Sequence, residues 1–170
     1  MIKGGKGGSH TQSGLQFEVR VSLADLFANI PGYSVEGGSV KRNGVVVGQL
    51  CGKNKLYKNI LEPRGVDVRK IISKKLVPDE AILIGKTVYV IEMKFQVRAG
   101  SVDEKLQTCD FKRKQYLRLF QPLGIGVEYV YVLNDWFEDP AYKDVLEYIR
   151  SVGCHYFFGE IPLSFFGLAR

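Results

Sequence analysis

The chain has 170 residues, 45% hydrophobic and 25% charged, which fits one globular domain and excludes disordered and fibrous classes. No segment approaches the roughly 18 apolar residues a membrane span needs, and the N-terminus lacks the apolar stretch of a secretory leader, so a single cytoplasmic domain over residues 1–170 is expected. The net charge of +6 is uneven: residues 1–120 carry 21 Lys+Arg against 11 Asp+Glu, a balance of +10, whereas residues 121–170 carry 3 against 7, a balance of −4.

A basic lobe favours a polyanionic partner, of which nucleic acid is the commonest. Three cysteines without paired spacing (Cys51, Cys109, Cys154) and two histidines (His10, His155) point to free, buried thiols and away from a closed zinc site.

Residues 1–10 hold four glycines and two lysines and are expected to form a flexible Gly/Lys-rich N-terminal arm, either a plain terminus or a phosphate-meeting segment. From Ser13, which with Gln16 fits a capping box, the stripe Leu15, Val19, Leu23, Leu26, Phe27 and Ile30 predicts a helix ended by Pro31-Gly32. Residues 39–42 and 45–48 flank Asn43-Gly44, a two-residue hairpin signal. Residues 51–75 carry eight Lys+Arg, Lys74 and Lys75 among them, against Glu62 and Asp67. That stretch reads equally as a solvated surface or as a face for the DNA backbone, with a short helix at Leu56, Tyr57, Ile60 and Leu61.

Two strands are predicted over 76–84 and 87–95, joined at Gly85-Lys86. Ser101 with Glu104 makes a second capping box, opening a helix to about Phe120 whose cations cluster late, as the helix dipole prefers. A buried strand is predicted over 127–133, an amphipathic helix over 140–152 with Gly153 as its C-cap, and a last strand over 154–158. The aromatic residues Tyr129, Tyr131, Phe157 and Phe158 fall within these strands and read as core. The resulting order is an α/β mixed sheet flanked by helices.

The sharpest feature is Pro78-Asp79 followed by Glu92-Met93-Lys94. Alternation puts Glu92 and Lys94 on one strand face. If Gly85-Lys86 is a two-residue loop, Ile84 faces Thr87, paired residue numbers sum to 171, and Asp79 falls opposite Glu92. Opposed side chains stand ~4.5–5.5 Å apart at Cβ, where like charges repel. Within apolar strands such a pair needs a cation, which Lys94 supplies in part and a hard divalent ion can complete. The other reading is a solvated strand face with Asp79 in a turn.

The Pro-Asp pair, the twelve-residue gap and Glu-Met-Lys resemble the signature of the PD-(D/E)XK nuclease superfamily. The predicted α-β-β-β-α-β run from Ser13 to Leu133 is similar to that superfamily's restriction-endonuclease-like core. The strings around Thr11–Glu18 and Glu104–Tyr116 resemble type II restriction endonucleases in particular. The resemblance implies Asp79, Glu92 and the Met93 carbonyl as Mg²⁺ ligands (Mn²⁺ substituting), Lys94 beside the attacking water, and Glu18 as an assisting acid on the first helix. It also implies cleavage of double-stranded DNA, by a homodimer if the site is palindromic. The Gln-x-x-x-Tyr pattern of the exonuclease branch is absent, which argues against end-processing.

Gln96 shares the face of Glu92 and Lys94, as a phosphate or water ligand or as a satisfied strand residue. Lys105, Gln107, Thr108, Lys112 and Arg113 on the following helix are candidates for phosphate or base contacts, or for a solvated face. Two other readings stay open: a structure-specific nuclease of the Holliday junction resolvase type, and a non-catalytic nucleic-acid-binding protein in which Asp79, Glu92 and Lys94 form an ion network.

Overall fold

The computed structural model describes residues 22–98 and 102–169. The arm, Ser13, Glu18 and Ser101 lie outside the described residues. Five α-helices are present among them: α1 (Leu23–Ala28), α2 (Val68–Ile71), α3 (Val102–Leu106), α4 (Cys109–Phe120) and α5 (Lys143–Ser151). Seven strands lie side by side in chain order: β1 (Tyr33–Glu36), β2 (Ser39–Arg42), β3 (Val45–Leu50), β4 (Glu80–Ile84), β5 (Thr87–Lys94), β6 (Gly126–Leu133) and β7 (His155–Phe158). Neighbours are antiparallel as far as β5, and β6 and β7 then join in parallel. The α/β class and the mixed sheet flanked by helices agree with the sequence pattern.

Turn chemistry fixes the ladder. Asn43 and Gly44 both have positive φ, 49° and 81°, as the hairpin turn that matches strand twist requires. Gly85 has φ 55° at the first loop position, a conformation costly for any residue with a Cβ. The two-residue loop that results sets Ile84 against Thr87 and Glu80 against Ile91, the anticipated register.

Each sheet face has its own core. Under α4, α5 and a π-wound turn (Leu56–Leu61) lie Ala81, Leu83, Val88, Val90, Tyr129 and Tyr131. Under α1 and a 3-10 turn (Leu163–Phe166) lie Ile82, Ile91, Met93, Val130 and Val132. With both faces covered, β5 and β6 read as nearly continuous apolar runs. Leu56, Ile60, Leu119, Phe120 and Phe137 are fully buried in the α4 core. Each such side chain contributes roughly 1.5–3 kcal/mol relative to exposure. Cys51, Cys109 and Cys154 are free thiols in the same core.

Four boundaries differ from expectation. Strand β1 carried no signal of its own and is captured by pairing with β2. Strand β4 starts at Glu80 rather than Leu76, because the preceding segment bonds elsewhere: Tyr57 Oη donates to the Leu76 carbonyl and Lys53 N to the Pro78 carbonyl. The helix expected to run unbroken to Phe120 is interrupted at Gln107-Thr108. There the Lys105 carbonyl accepts from Thr108 N (3.2 Å), Thr108 Oγ1 (2.7 Å) and Tyr131 Oη (3.1 Å), so local bonds displace the helical one. Finally, the helix expected from Pro140 begins as a 3-10 turn, with the Asp139 carboxylate accepting from Ala141 N at 2.8 Å, and becomes α-helical at Lys143.

Candidate active site

The charged site grows out of the α4 core at one end of the β4–β5 ladder. Val88 and Val90 lie in that core, and Glu92 and Lys94 follow them on the same face of β5. Asp79 stands one residue before β4, on the face of Ala81 and Leu83. Its Oδ2 accepts from Met93 N at 2.8 Å. A side chain thus replaces a ladder bond where Pro78 ends regular pairing, and the strand's main chain holds the carboxylate.

Gly52 makes this corner possible. A Cβ there would meet Glu80 Oε2 at 2.9 Å, Glu80 Cα at 3.0 Å and the Asp79 carbonyl oxygen at 3.2 Å. Only a bare backbone lets the turn after β3 press against Asp79-Glu80. Sequence reasoning missed Gly52, since one glycine in a turn gives no sign of what approaches it.

Three oxygens surround the Lys94 ammonium. Nζ lies 2.9 Å from Glu92 Oε2, 3.1 Å from the Met93 carbonyl oxygen and 3.9 Å from Asp79 Oδ2. Glu92 is 7% exposed, and a carboxylate so buried is costly unless paired. Lys112 on α4 supplies a second cation, 3.2 Å from the same Glu92 oxygen. Burial, and then the charge of Glu92, push the Asp79 carboxyl above the usual carboxylate range, against smaller opposing effects of the Met93 N–H, Lys94 and Lys112.

A layer of buried tyrosines floors the site. Tyr131 pairs with Glu92 across β5 and β6, and its ring centroid is 5.9 Å from Lys94 Nζ. Tyr116 stacks on Tyr129, and Tyr129 meets Tyr131 edge-on. The Tyr116 hydroxyl has no hydrogen-bond partner among the described residues. Burial, then the neighbouring Tyr57, Glu92 and Asp79, drive its pKa far up, so it stays a neutral phenol.

The structure brings Asp79, Glu92, Met93, Lys94 and Lys112 together. Lys112, a candidate for DNA contact or a solvated face, pairs with Glu92; its spacing of three from the inward Cys109 carried that signal. Gln96 is buried, with its main-chain N–H donating to Asn134 Oδ1 (3.0 Å) and its main-chain carbonyl accepting from Asn134 Nδ2 (2.8 Å), so these bonds fix its backbone. Arg113 turns away, its guanidinium within 3.7 Å of where a Cβ would stand on Gly153. Lys105, Gln107, Lys74 and Lys75 are exposed, and Lys75 Nζ sits 4.0 Å from the Tyr57 ring centroid.

Among the described residues, no group of three or more His, Cys, Asp or Glu side chains gathers as a metal cluster. The donor set nevertheless fits Mg²⁺: two carboxylates and a main-chain carbonyl are hard oxygens, and all three already lie around one positive nitrogen. Magnesium takes few protein carboxylates and retains water for its other positions. No family model, curated protein or solved structure matches the chain. No helix among the described residues is long and apolar enough to cross a membrane.

Proposed function

We propose that the protein is a magnesium-dependent endonuclease of double-stranded DNA, with a restriction-endonuclease-like core and, for a palindromic target, a homodimeric working form. The observation that carries this reading is the convergence of Asp79, Glu92 and the Met93 carbonyl on the Lys94 ammonium. The basic balance of residues 1–120 supports a polyanionic substrate.

Asp79, Glu92 and the Met93 carbonyl would hold the ion. When bound, Mg²⁺ supplies Lewis-acid neutralisation of the scissile phosphate. Lys94 orients the attacking water, and its positive charge favours loss of the water's proton. The water oxygen bonds to phosphorus as the phosphorus–O3′ bond breaks, the water's proton passes to solvent and the leaving O3′ takes a proton from solvent, leaving a 5′-phosphate and a 3′-hydroxyl; this polarity of products rests on the family resemblance. The exposed Lys105, Gln107, Lys74 and Lys75 are available to phosphates and base edges.

A sequenced plasmid incubated with Mg²⁺ tests the reading. Discrete fragments are expected, with none in EDTA, and Asp79→Ala should abolish cleavage while DNA binding persists in Ca²⁺. Preference for a four-way junction over linear duplex would redirect the assignment to a junction resolvase. One observation favours a second reading, a non-catalytic DNA-binding protein: Lys94 and Lys112 together balance the two acids without a metal. No Mg²⁺-dependent cleavage of any DNA form, with binding intact, selects that reading.

A further inference from the structure

Two lysines share one carboxylate oxygen, and they hold it differently. Lys94 reaches Glu92 Oε2 along its own strand and also donates to the Met93 carbonyl. Lys112 reaches the same oxygen from α4, and Glu92 is its one ion-pair partner among the described residues. The Lys112 side chain is 24% exposed and that of Lys94 15%. Lys112 is therefore the cation nearer to water and less firmly tied.

Asp79 and Glu92 carry two negative charges, and Lys94 and Lys112 two positive ones, so the cluster is neutral as it stands. A dication entering among the same oxygens adds two positive charges to a site only partly open to solvent. A Glu92 oxygen that coordinates a metal cannot keep two ammonium groups within about 3 Å as well, because like charges at that range repel strongly.

We propose that Lys112 is the counter-ion Mg²⁺ displaces from Glu92, and that the released ammonium then binds a backbone phosphate of the DNA beside the site. This rests on the endonuclease reading. It gives Lys112 two alternating partners of like sign, the Glu92 carboxylate before metal and a phosphate afterwards. Metal and Lys112 compete for Glu92, whereas metal and DNA assist one another through Lys112. Because coupling between ligands is reciprocal, DNA should tighten metal binding by the same factor as metal tightens DNA binding.

The test is calorimetric titration of DNA-free protein with Mn²⁺, and separately with Mg²⁺, comparing wild type with Lys112→Ala and Lys112→Met. The methionine retains an apolar stem and guards against a packing defect in the alanine. Removing the competitor should tighten metal binding by roughly 10-fold, within the usual span of coupled sites. Binding of duplex DNA in Ca²⁺ should weaken for both variants, with the salt slope reduced by about one phosphate contact. Unchanged or weaker metal affinity in a folded variant overturns the proposal while leaving the endonuclease reading intact, provided wild type binds metal and cleaves. A wild type that binds no metal and cuts no DNA overturns both.

Discussion

The two faces of β5 run in parallel for most of its length and then part. On the α1 side the strand stays apolar to its end, with Ile91 and Met93 in that core. On the α4 side Val88 and Val90 give way to Glu92 and Lys94. Glu92 and Met93 are equally inaccessible, both 7% exposed, so depth alone does not separate them. What separates them is company. Glu92 has two ammonium groups within 3.2 Å, whereas Met93 lies among apolar side chains. A charge can sit as deep as a methionine when its partners are built in, although a buried ion pair is seldom the most stable choice for a core.

Changing both neighbours sharpens the contrast most. Glu92→Gln should lower the cleavage rate by roughly 10³-fold, the scale lost when a preorganised electrostatic group is removed. Met93→Ala should cost about 2–5 kcal/mol of stability by opening a cavity, yet leave the rate per folded molecule within a few-fold. Single-turnover cleavage and denaturant melts measure the two effects, and a Met93→Ala variant as inactive as Glu92→Gln would erase the distinction between the faces.

A smaller effect concerns metal-free stability. Because the folded Asp79 carboxyl titrates above its ordinary value, the folded state binds its proton more tightly than the unfolded state does. The resulting destabilisation is absent below the ordinary carboxylate range, builds as pH rises through the raised folded value, and is complete above it. Asp79→Asn keeps an oxygen for Met93 N and removes the charge. It should therefore melt higher than wild type at neutral pH without metal, by roughly 2–4 °C for each kcal/mol relieved, and the gain should vanish in acid. A variant that melts lower at pH 7 would show that the two lysines outweigh burial and the Glu92 repulsion.

Smallest of all should be Tyr116→Phe. Its buried hydroxyl has no partner among the described residues, so removal should be neutral or stabilising by up to about 1 kcal/mol. A clear loss of stability would reveal a bridging water beneath Glu92.

Much of the site was legible in the sequence because it depends on short-range rules. Gly85-Lys86 sets the register, the register carries Asp79 to the end of the ladder beside Glu92 and Met93, and alternation aligns Glu92 with Lys94. None of that needs tertiary information. Lys112 and Gly52 depend on contacts between elements distant in the chain: α4 against β5, and the turn after β3 against Asp79. Local propensity is silent about such meetings, and β1 was missed for the same reason. Glu18 lies outside the described residues, so its assisting role rests on the resemblance.

Met93 serves both sides of the sheet at once. Its thioether belongs to the α1 core, while its N–H grips Asp79 and its carbonyl faces Lys94. In the proposed reaction this residue lends only its peptide groups and never its side chain. Any apolar residue the far core accepts can therefore stand between Glu92 and Lys94 without disturbing the oxygens, and repacking that core is decoupled from the geometry of the charged cluster.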